Sequence, residues 1–138
     1  MRVMALDVGD RRIGVALSDP TGTIATPLLT IHRVAEKKDQ EEIVGLVKEH
    51  AVDLIVVGLP KTLQDELGYQ ARRVMGFGDR LARVVEVPTV YWDERHSTVD
   101  AERIVRARGR RKSRASREGL DEVAAAVILQ FYLDSHRE

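Results

Sequence analysis

The chain has 138 residues, 43% of them hydrophobic, with no cysteine and 22 basic residues against 22 acidic ones. That length buries one core and is too short for two comfortable ones, so residues 1–138 are expected to form a single domain. The missing cysteine excludes disulfide frameworks and thiolate metal sites, and no apolar stretch approaches membrane-spanning length, so a cytoplasmic protein without a leader or membrane segment is expected.

Val3 to Val8 reads as a buried strand with a carboxylate, Asp7, near its end, and Gly9 follows the strand at a turn. Arg12 to Ser18 and Thr23 to His32 continue as two further strands joined by short turns, an antiparallel meander. The period then changes: Ile43, Leu46, Val47 and His50 fall at helical spacing within Glu36 to Ala51. Asp53 to Gly58 is a β-branched run of the kind covered on both faces of a sheet. Leu67, Ala71, Val74 and Leu81 describe a helix weakened by Gly76 and Gly78, and Val87 to Trp92 is a fifth strand. Ser97 and Asp100 form a capping pattern for a helix running to about Ala107, after which a basic stretch to Gly119 reads as a solvated loop. Leu120, Val123, Ala124, Val127, Ile128 and Phe131 trace the apolar face of the last helix. Three antiparallel strands followed by alternating helices and strands make an α/β fold: a mixed sheet flanked by helices.

Zero net charge conceals a segregation. Residues 103–117 hold eight of the 22 basic residues and no acid, which leaves 14 basic against 22 acidic residues elsewhere, a balance of −8. A positive strip on an acidic body points to a localised polyanion site.

Three acidic positions fall where such a sheet exposes the carboxyl ends of its strands: Asp7, the pair Asp93 and Glu94, and Asp121. Each has a plain reading beside the functional one. Asp121 could simply favour a helix N-terminus through the dipole, Glu94 could pair with Arg95 or Arg72, and Asp93 could cap the following helix. Asp7 is the hardest to explain structurally, because the run before it is apolar. Converging carboxylates without cysteine suit a hard cation, Mg²⁺ or Mn²⁺, better than zinc, and such ions hydrolyse phosphodiesters. Acids beside a polybasic segment therefore argue for a nuclease. The alternative is a non-catalytic module that grips nucleic acid through residues 103–117.

The segments ALDVGDRRIGVALSD, LIVVGLP, DERHSTVDAE and GLDEVAAAVILQFYL resemble, in order and spacing, the YqgF/RuvX family of RNase H-like nucleases, described as Holliday junction resolvases and linked to 5′-end maturation of the 16S ribosomal RNA precursor. The resemblance covers nearly the whole chain. It implies a five-stranded sheet of order 3-2-1-4-5 and a divalent-metal site on Asp7, Glu94 and Asp121, with Asp93 as the alternative to Glu94. It also implies nucleic-acid contacts from Arg95, Ser97 and Thr98, to which the basic strip adds Arg108, Arg110, Arg111, Lys112 and Arg114. The partner would be a ribosomal RNA precursor or branched DNA, and a homodimer would suit a four-way junction. Two departures stand out: related resolvases end the fourth strand with an acid where this chain has Gly58, and residues 61–68 lack the family's Asn.

Overall fold

A computed structural model describes residues 1–60, 68–93 and 117–136. Strands β1 (Val3–Val8), β2 (Arg12–Ser18) and β3 (Ala25–His32) form the antiparallel meander, and helix α1 (Glu36–Glu49) leads to β4 (Leu54–Leu59). Helix α2 (Tyr69–Ala82), β5 (Thr89–Asp93) and helix α3 (Arg117–Ser135) complete the described elements. The sheet order is β3-β2-β1-β4-β5, with β1, β4 and β5 parallel. The expected strand order is therefore the observed one.

Strand alternation divides the core in two. Met4, Leu6 and Val8 of β1 pack with Ile43, Leu46 and Val47 of α1 and with Val74, Phe77 and Leu81 of α2. Val3 and Ala5 point the other way, onto Val123, Ala126, Val127, Leu129 and Leu133 of α3. Small residues line that second interface, with Ala5, Ala16 and Ala25 on the sheet and Ala125 and Ala126 on the helix, all fully buried. Short side chains on both partners let the helix axis approach the strands closely.

Several boundaries move for identifiable reasons. β3 starts at Ala25 rather than Thr23, because the backbone N–H groups of Thr23 and Ile24 turn inward to the Asp19 carboxylate, each at 2.8 Å. α2 runs unbroken through Gly76 and Gly78, whose propensity cost is overruled by packing. Gly78 sits against Tyr91, where an added Cβ would stand 2.6 Å from the ring hydroxyl. α3 begins at Arg117, so the last part of the expected basic loop is helical, and Leu120 is 56% exposed rather than in the core. The helix expected between Ser97 and Ala107 lies outside the described residues.

Candidate active site

Asp7 is the penultimate residue of β1 and half-buried. Alternation puts its side chain on the α3 face, in step with Val3 and Ala5. Its antiparallel partner on β2 is Gly14, and one step beyond the Leu6–Val57 pair its parallel neighbour on β4 is Gly58. Neither flanking position carries a side chain, and both glycines are buried.

The turn that follows Asp7 is firmly held. Gly9 N–H donates to the Arg12 carbonyl at 2.8 Å, and Arg33 donates through Nη1 to the Gly9 carbonyl at 2.9 Å. A Cβ on Gly9 would meet the Arg12 carbonyl oxygen at 2.9 Å, which explains the glycine at the head of the turn. Arg33 is itself anchored by the buried Asp39 carboxylate, 3.2 Å from its Nε.

Gly14 also explains how Asp121 reaches the same place. An added Cβ at Gly14 would fall 1.9 Å from the backbone oxygen of Asp121 and 2.3 Å from its carbonyl carbon, so the α3 backbone rests directly on this glycine. Since residues paired across two antiparallel strands direct their side chains to one face, Asp7 and the Asp121 backbone share both a face and a neighbour. Asp121 is the fifth residue of α3, beyond the first turn in which the dipole favours an acid, so the helix-terminus explanation for it loses its basis.

The Asp121 carboxylate accepts a hydrogen bond from Arg12 Nε at 2.6 Å. Arg12 precedes Gly14 by two positions on β2 and so projects from the same face. The pair is partly open to solvent, 40% exposed on the arginine and 26% on the aspartate. Sequence reading missed Arg12, whose partner lies 109 residues away.

Asp93 falls elsewhere. It follows Tyr91 by two residues on β5 and pairs with Leu59, both on the side of α1 and α2, so alternation directs it away from Asp7. Glu94, Arg95, Ser97, Thr98, Arg108, Arg110, Arg111, Lys112 and Arg114 lie outside the described residues. Among the described residues no three His, Asp or Glu side chains converge on one point suited to a metal ion.

Comparison with known proteins gives a consistent lineage. The chain matches the family described as RuvX: Holliday junction resolvase over residues 1–135. A Thermoanaerobacter pseudethanolicus protein named "Putative pre-16S rRNA nuclease" is 45% identical over 137 residues, covering 99% of both chains. A Roseiflexus protein of the same name is 47% identical over 136 residues, covering 99% of this chain and 96% of its own. Among solved structures, Thermus thermophilus RuvC in complex with a Holliday junction substrate superposes with a TM-score of 0.67 at 16% identity, over 98% of this chain and 96% of that one. Fowlpox virus resolvase with junction DNA superposes at 0.59 and 10% identity, over all of both chains. These structural matches identify the architecture as RNase H-like.

Proposed function

Because the chain belongs to the RuvX family, we propose that it is a divalent-metal-dependent endonuclease that matures the 5′ end of the 16S ribosomal RNA precursor, acting as a single domain over residues 1–138. The observation that carries this reading is the seating of α3 on Gly14, which brings Asp121 to the sheet face that bears Asp7. Glu94 is assigned as the third acid. The orientation of Asp93 toward the opposite face supports that choice, since its neighbour in sequence is the remaining acid of the block.

Oxygen donors from Asp and Glu suit Mg²⁺ or Mn²⁺. Such a cation, when bound, lowers the pKa of a water and stabilises the departing oxygen of a phosphodiester. The chain's own part is to gather the acids, with α3 seated on Gly14 so that Asp121 stands on the face that bears Asp7. Arg12 holds the Asp121 carboxylate in a partly exposed pair of a type that contributes only about 0–1 kcal/mol, so a dication can displace it.

The family description and the names of the near relatives differ in substrate. The ribosomal precursor is preferred because relatives above 40% identity carry that name, whereas the junction-bound neighbours, at 16% and 10%, speak for the fold alone. One cut also needs only one active site, while a four-way junction presents two symmetric strands and calls for a two-fold dimer. A ribosomal precursor is met in the cytoplasm, and no described helix is long and apolar enough to cross a membrane.

The test is cleavage of a precursor RNA carrying the 5′ leader, with Mg²⁺, with Mn²⁺ and with chelator. Wild type should yield a defined product only with metal, and Asp7→Asn should reduce the rate by about two orders of magnitude or more at unchanged circular dichroism. RNA binding with no product under any metal would instead establish the non-catalytic module.

A further inference from the structure

On the other face of the sheet, one residue past Asp7, the β1–β2 turn forms the wall of an open groove of about 350 Å³. Four arginines line it, Arg33, Arg72, Arg73 and Arg80, against two acids, Asp10 and Glu36, with Asp39 buried behind Arg33. We propose that this groove holds backbone phosphates of the nucleic-acid strand flanking the cleaved bond. The inference rests on the nuclease reading for what passes over Asp7, but the groove itself is a polynucleotide site whether or not the chain cleaves.

The arginines are arranged for this in advance. Arg80 forks onto both Glu36 oxygens at 2.8 and 2.7 Å, and Arg73 lies 2.9 Å from Asp10. Arg33 is laid over the Phe77 ring at 5.0 Å while it spans Asp39 and the Gly9 carbonyl. The outer nitrogen of the Arg80 guanidinium, Nη1, lies over Gly76, 3.1 Å from where a Cβ would stand. Arg72 is exposed and has no carboxylate partner among the described residues. Arg73 remains 50% exposed in a single-contact pair with Asp10, and an ion pair open to that extent is weak enough for a phosphate oxygen to replace the carboxylate. Guanidinium groups suit the purpose better than ammonium groups, because they bind phosphate with two parallel hydrogen bonds.

The placement fits a continuous track. Val8, Gly9 and Asp10 line the groove directly after Asp7 in the chain, and Gly9 has no side chain to obstruct the crest of the turn. A strand whose scissile phosphate rests over Asp7 can pass across that crest and descend onto α2.

The experiment measures binding of a fluorescein-labelled RNA stem-loop with a single-stranded flank, without divalent metal, across a range of salt. The double variant R72A/R73A removes two phosphate contacts and should reduce the slope of log K against log salt by about 1.4 to 1.8. Arg83→Ala, at the exposed C-cap just past α2 and outside the groove, should leave the slope within about half a unit of wild type. An unchanged slope in R72A/R73A, with wild type cleaving the RNA in Mg²⁺ or Mn²⁺, overturns the groove and leaves the nuclease reading standing. A reduced slope with no cleavage of the leader-bearing precursor RNA by wild type overturns the nuclease reading and upholds the groove. Failure of wild type to bind the RNA at all overturns the groove. Inorganic phosphate, added at matched ionic strength, should displace no more RNA than chloride does; specific displacement by phosphate would overturn a polynucleotide ligand in favour of a free phosphate.

Discussion

Replacing Gly14 by alanine tests how α3 is brought over Asp7. The new Cβ would start 1.9 Å from the Asp121 carbonyl oxygen, and ordinary contact begins at 3.4 Å, so the first turns of α3 must retreat by about 1.5 Å or the strand must give. The atoms it meets, the carbonyl oxygen and carbon of Asp121, are backbone, so no rotamer change relieves the overlap. Farther along, α3 is pinned by Ala126, Leu129 and Leu133, all at 5% exposure or less, and the retreat becomes a pivot that carries Asp121 away from the sheet. Overpacking of this kind costs about 1–3 kcal/mol, which for a chain of this length lowers the melting temperature by about 3–15 °C. A displacement of about 1 Å at a reacting centre costs about a hundredfold in rate. Differential scanning calorimetry and RNA cleavage, measured side by side, should therefore show a modest stability loss and a disproportionate activity loss. A variant that melts within 1 °C of wild type and cleaves at its rate would refute the seating of α3 on this glycine.

Two further outcomes follow from named contacts. Arg12→Ala frees the Asp121 carboxylate, so if that group serves the metal, the half-saturating Mg²⁺ concentration for cleavage should fall by up to about fivefold; a rise would show that Arg12 itself serves the substrate. Asp19 accepts hydrogen bonds from Ile24 N–H, from the Thr21 hydroxyl and from Thr23 N–H, which hold its carboxyl far below the ordinary 3.8. The folded state therefore binds this proton later than the unfolded state, and the contribution is complete above that ordinary value and lost as pH falls below it. Asp19→Asn should flatten the acid limb of melting temperature against pH, and superimposable limbs would contradict the assignment.

What could be read from the residues was whatever repeats locally. The period-2 and period-3.6 patterns mark the strands and helices, and the β-branched run read over Asp53 to Gly58 marks a strand covered on both faces, as the six buried residues of Leu54–Leu59 show. Asp7 was legible as a site candidate for the same reason, because a carboxylate at the end of an apolar strand stands out against its neighbours.

Contacts between distant segments left no such trace. Gly14 reads as one more small residue in a strand, and only the packed fold shows that a helix more than a hundred residues later lies on it. The pairing of Arg12 with Asp121 and the collection of four arginines beside Gly9 depend in the same way on which elements become neighbours. Local backbone preference extends over a turn or two of chain, so by itself the sequence determined the kind of each described element and the acidic residues that fall near the strand ends. Which side chains share a face across the sheet was decided by strand register and by how closely small residues let α3 approach, and both are settled only when the whole core packs.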